Sequence, residues 1–173
     1  PEAPRTLRAP TVLRNAGWAR PFEAFVRLLG TPGTAEADPT PVVALVAPLL
    51  FGFMFGDVGQ GLVIATAGLL LRRRYPALKL LVAGGLVAAA FGLAFGSVFA
   101  LEHVLPALWL RPLDAPLTVL AASVALGVLL IAGGFVLDFL QHAWRGEAGR
   151  WLALRGGLPT LYAGLVLAPF RGE

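Results

Sequence analysis

Polar and apolar positions fall into long blocks along this chain rather than into short alternations. Residues 1–40 are polar and proline-rich. Segment 41–71, from Pro41 to Leu71, then carries a single charge, Asp57, and segment 80–101 carries none. Uncharged stretches of that length signal transmembrane helices, which need about 20 apolar residues each. Segment 41–71 is too long for one such span and short for two. Arginines choose between the two. Arg5, Arg8, Arg14, Arg20 and Arg27 precede it, and Arg72, Arg73, Arg74 and Lys79 follow it. Positive residues stay on the cytoplasmic side, so the chain must enter and return. The pattern predicts a helical hairpin over 41–72 with its turn near 56–60. A third transmembrane helix over 78–101 and a fourth over 116–143 follow. Residues 151–170 hold a partial fifth helix or an interfacial segment. Ahead of the hairpin, 1–40 form a cytoplasmic lead-in with one short amphipathic helix. There Phe22, Phe25, Val26 and Leu29 share a face, and Glu23 and Arg27 stand four apart as a favourable pair. The predicted fold class is all-α, a polytopic transmembrane helix bundle with a hairpin plus two or three further spans.

Composition agrees with this layout. Of 173 residues, 57% are hydrophobic and 14% charged. A soluble domain carries about 25% charged residues. Mean hydropathy is +0.76. The net charge of +4 belongs to basic residues flanking the apolar blocks. It therefore reads as a topology signal and does not point to nucleic acid. There is no cysteine, so disulfides and thiolate metal sites are excluded. His103 and His142 stand far apart, and no metal site is expected. No phosphate loop, HExxH or GxSxG motif is present, and neither a catalytic role nor a cofactor is expected. The chain starts without methionine and reads as an internal piece of something longer.

Four groups could handle protons within or beside the spans: Asp57, Glu102, Asp138 and His142. For Asp57 the competing role is structural. It stands just before the second hairpin helix with Gln60 three residues on, a D-x-x-Q capping box. Gly56, Gly59 and Gly61 supply a tight turn and close packing. Asp138 and His142, four apart, form either a hydrogen-bonded pair facing a wet cleft or two groups solvated at headgroup level. Glu102 and His103 read as the start of an exposed loop, and Trp109 as an interface anchor. At the head of the hairpin, Asp38 or Thr40 can cap the helix, with Pro39 or Pro41 at its first position. Gly84, Ala88, Gly92 and Gly96 recur every four residues and line one face for close helix approach.

The stretch "EADPTPVVALVAPLLFGFMFGDVGQG" resembles the membrane half of V-type ATPase subunit a, called subunit I in prokaryotes. Glu36, Asp38, Pro39 and Thr40 match the first part of that family's pattern. Phe51, Gly52, Met54, Phe55, Gly56, Asp57, Gly59 and Gly61 match the second. Gln60 departs from it, because the family commonly has histidine there, and glutamine cannot titrate. "PFEAFVRLLGTPG" and "FGLAFGSVFALEHVLPALW" resemble neighbouring segments of the family, and "GVLLIAGGFVLD" is a looser match. The resemblance implies a non-catalytic stator part of a rotary ATPase in a prokaryotic plasma membrane. Its implied partners are a rotating ring of c-type proteolipid subunits, the peripheral and central stalks, and the lipid bilayer. The essential arginines of that family lie beyond what this chain matches, so these helices are expected to pack more than they conduct.

Overall fold

A computed structural model describes residues 15–30, 38–101 and 104–168, except the side chain of Leu29. Glu36, Glu102 and His103 lie outside the described residues. Those described are helical, with no β-strand beyond an isolated bridge between Val98 and Leu101. They form two compact units, residues 1–114 and 115–173.

The first unit begins with α1, Arg20–Leu29. Phe22 and Val26, four apart on one face, are both buried, and Phe22 packs with Ala19 and Ala44 beside Val43, Ala47, Leu80 and Ala83. The amphipathic helix thus packs onto other helices of its own unit. The expected Glu23–Arg27 pair does not form among the described residues. Glu23 accepts instead from the Asn15 amide at 3.2 Å, and the same amide reaches Asp38 at 2.7 Å. Asn15 thereby links α1 to the start of α2.

Helix α2 spans Thr40–Phe55 and α3 spans Val58–Leu71. Asp38 opens α2: its Oδ1 accepts the Thr40 N–H at 2.8 Å and the Thr40 hydroxyl at 2.5 Å. Pro39 stands at the N-cap and Pro41 in the first turn, where a missing N–H costs no intrahelical bond. Both helices are apolar all round, so neither has a face that favours water. At 16 and 14 residues they are shorter than an ordinary span. A 3₁₀ turn, Pro76–Leu78, leads into α4, Lys79–Phe95. This helix stops at Phe95 rather than running to Leu101 as expected. Gly96 takes a left-handed conformation (φ +72°) and ends it. Phe99 and Ala100 then carry φ of 49° and 61° in a reverse turn. Helix α4 packs along both α2 and α3, which scarcely touch each other. The hairpin is therefore one of connectivity, with α4 as the shared neighbour of its two arms.

The second unit holds α5, Pro116–Trp144, α6, Ala148–Arg155, and α7, Gly157–Leu167. The expected single segment over 151–170 is divided at Gly156. No residue of α5 is buried. Among the described residues two helical stretches, Pro76–Phe95 and Pro116–Trp144, are long and apolar enough to cross a membrane.

Candidate functional site

Asp57 lies between α2 and α3 and is only 4% exposed. Its backbone is extended, as an N-cap requires, and Oδ1 accepts the Gln60 N–H at 2.8 Å. Three more donors come from the turn after α4. The Phe99 N–H reaches Oδ1 at 2.9 Å. The Ser97 hydroxyl reaches Oδ2 at 2.8 Å, and the Ala100 N–H reaches it at 2.7 Å. A carboxylate has about four lone-pair sites, and all four are taken. The Val58 N–H also donates to the Ser97 carbonyl at 3.0 Å. The turn is thus not an open tip. It is clamped to residues 97–100, and the two left-handed residues sit where their N–H groups meet the carboxylate. The return half of the capping box is missing, because the Gln60 side chain is exposed and makes no bond to Asp57 among the described residues.

Glycines bring this clamp together. A side-chain carbon at Gly92 would collide with the Val58 nitrogen and lie 2.5 Å from the Asp57 carbonyl carbon. One at Gly56 would enter the Phe95 ring, and one at Gly59 the Phe99 ring. Further along, a side-chain carbon at Gly61 would stand 2.5 and 2.6 Å from Ala89 N and Gly85 O. In return, one at Gly85 would stand 2.5 Å from Ala65 N. Gly52 faces the Val87–Ala88 backbone, and Gly84 lies against the Phe51 ring. Small residues on both partners allow this backbone-on-backbone approach. The expected stripe on α4 therefore splits. Gly84 and Ala88 meet α2, Gly92 meets the head of α3, and Gly96 lies outside the helix. The face that receives α3 is Gly85, Ala89 and Gly92, matched by Gly61 and Ala65. Sequence reading missed Gly85, Ala89 and Ala65. Their four-residue spacing was the available signal.

Other motif residues divide by exposure. Phe51 stacks on Phe55 with centroids 4.5 Å apart. Met54 and Phe55 face outward. Phe53, Phe91 and Phe95 form an aromatic cluster. Trp109 stacks on Phe95 at 6.0 Å, and its backbone N–H donates to the Ala94 carbonyl at 2.8 Å. The residue expected as an interface anchor thus ties its loop to the end of α4.

In the second unit Asp138 and His142 do meet. His142 Nδ1 is 2.8 Å from the Asp138 carbonyl and 3.5 Å from its carboxylate. They are not simply solvated, because α6 supplies stronger partners. Trp151 Nε1 donates to Asp138 Oδ2 at 2.7 Å, and Arg155 reaches the same carboxylate at 3.2 Å. Trp151 also packs edge-on against Phe139. Trp151 and Arg155 were absent from the predicted site. Their own four-residue spacing, matching that of Asp138 and His142, was the only hint. Tyr162 joins α7 to α5 through the Val128 carbonyl at 3.0 Å.

Among the described residues, two membrane-length apolar helices, glycine-built helix contacts and a carboxylate sealed into a helix junction are the pattern of a helical membrane protein. The model of the V-type ATPase 116kDa subunit family matches residues 2–95, just over half of the chain. The chain belongs to that family. It is similar to the A-type ATP synthase subunit I of Halobacterium salinarum, 33% identical over 177 residues, covering 90% of this chain and 24% of that protein. The Thermococcus kodakarensis subunit I is 32% identical over 151 residues, covering 76% of this chain and 23% of that protein. The V-type ATP synthase subunit I 2 of Treponema pallidum is 46% identical over 65 residues, covering 38% of this chain and 14% of that protein. The chain spans about a quarter of the length of the first two of these curated relatives. No solved structure matches it.

Proposed function

We propose that the chain is part of the membrane-embedded stator subunit of a rotary V-type or A-type ATPase. In this role it contributes scaffold helices beside which protons pass the c-type rotor ring, while catalysis resides on other subunits. Helices α2 and α3 enter and return, and α4 and α5 are the full spans. The peripheral and central stalk subunits and the surrounding lipid are its partners. Family membership and two membrane-length helices support the setting.

One observation carries the scaffold assignment: all four acceptor sites of Asp57 are occupied by donors of its own unit. A proton relay needs a group with a lone pair open to water or to the next carrier. The same saturation favours a second reading, a membrane scaffold with no direct role in ion passage. The test is Asp57→Asn in the intact complex, with assembly and proton pumping measured separately. An amide oxygen has about half the acceptor sites of the carboxylate, and its NH₂ opposes N–H donors. Assembly and pumping should therefore fall together. Normal assembly with pumping abolished would overturn the scaffold assignment.

A further inference from the structure

In the second unit one carboxylate joins two helices. Asp138, on α5, accepts from Trp151 Nε1 at 2.7 Å and from Arg155 at 3.2 and 3.3 Å, both on α6. Trp151 is buried edge-on to the Phe139 ring, so α6 docks on α5 through this indole and this carboxylate. Gly146, between the two helices, has a φ of +74° and open space around it. It is a pivot with no side chain to resist rotation.

His142 stands one turn on from Asp138. Its Nδ1 is 2.8 Å from the Asp138 carbonyl. A carbonyl only accepts, so Nδ1 carries the proton of the neutral ring and Nε2 is left to take a second. The same Nδ1 is 3.5 Å from the Asp138 carboxylate. Histidine is the side chain that changes charge near neutral pH. The charged groups around it are Asp138 and Arg145 on its own segment, Glu147 on the link, and Arg150 and Arg155 on α6. Helix α7 carries no charged residue. His142, Glu147, Arg150, Trp151, Leu154 and Arg155 line one cleft of about 190 Å³.

We propose that His142 makes the α5–α6 joint a latch released by acid, closed while the imidazole is neutral and loosened when it is protonated. With α6 docked, an imidazolium shares Asp138 with Arg155 and meets two α6 arginines around the cleft, against one further acid, Glu147. With α6 swung away about Gly146, the imidazolium keeps Asp138, its neighbour on α5, to itself. Protonation therefore favours the undocked form, and by linkage docking weakens as pH falls through the imidazole range. The latch rests on the geometry of the second unit and not on the stator role.

The experiment is hydrogen–deuterium exchange of the full-length subunit in detergent from about pH 8 to about pH 5.5. Each rate is corrected for the intrinsic pH dependence of amide exchange. The amides of residues 151–155 should lose protection by roughly twofold to fivefold at the acid end, the effect of charge pairs open to water. His142→Gln keeps a donor for the Asp138 carbonyl but takes no proton, and protection should then stay constant with pH. Arg155→Gln removes a cation that the imidazolium repels. It should lower protection at the alkaline end and shrink the pH dependence. Constant protection in the wild type, or protection that rises on acidification, would overturn the proposal. So would an undiminished pH dependence in His142→Gln, which would assign the effect to another group.

Discussion

At Asp57 one carboxylate closes a helix start and a reverse turn at once. Its bonds are not equal in kind. The Ser97 hydroxyl can be removed without orphaning a backbone group, whereas the N–H groups of Phe99 and Ala100 have the carboxylate as their acceptor. Ser97→Ala should therefore cost about 1–3 kcal/mol of stability. Asp57→Ala should cost more, because it leaves donors unpaired in a buried place. Thermal unfolding of the two variants in the same detergent would rank them. Asp38 makes a different prediction, on pH. Burial alone would raise its pKa, but bonds from the Thr40 hydroxyl, the Thr40 N–H and the Asn15 amide outweigh burial and hold it below the ordinary carboxylate value. A depressed pKa means stability that is present above the unfolded value, about 3.9, and is lost as pH falls through the lower folded value. Helix content followed by circular dichroism from pH 5 downward should show this loss, and Asp38→Asn should remove that component. The cap at Asp57 was legible in its D-x-x-Q spacing. Its partners at Ser97, Phe99 and Ala100 were not, because backbone N–H groups more than forty residues away leave no mark in a sequence pattern.

Between elements, the decisive quantity is how closely backbones approach. Gly61 and Gly85 meet backbone atoms at 2.5–2.6 Å from where a side-chain carbon would stand, whereas Gly127, on α5, has nothing within 4 Å. The same substitution should act in opposite directions at these places. Gly61→Ala forces α3 off α4 and should cost about 1–3 kcal/mol. Gly127→Ala meets open space and should stabilise α5 by up to about 1 kcal/mol through helix propensity. Paired melting curves would check the contrast, and equal effects would contradict the packing described. The small-residue spacing on α4 was readable. The division of that stripe between two neighbours was not, because periodicity says which residues share a face and not how many helices meet it. The end of α4 was misjudged for a related reason. Residues 97–101 are as apolar as the helix before them, and only Gly96 marks the stop.

At the scale of the whole molecule, the charge pattern predicts that both outer ends of the α2–α3 pair lie on one side of a membrane and the turn between them on the other. Asp57 is too buried to report on this. Met54, 72% exposed beside the turn, and the exposed Arg73 are suitable instead. In the full-length protein in sealed vesicles, Met54→Cys and Arg73→Cys should react with an impermeant maleimide from opposite sides. Reaction from one side would break the enter-and-return reading. The blocks of charge and apolarity carry that expectation, and the long motif made the family legible in the sequence. The junction of α2, α3 and α4 needed coordinates. It also has a mechanical consequence. Glycine and alanine have no rotamers to change, so a joint built from them has no soft padding. A load applied to one helix passes to the next as a rigid displacement, with almost no play. Under the proposed stator role, such a joint would convert sideways force into restraint rather than into side-chain motion.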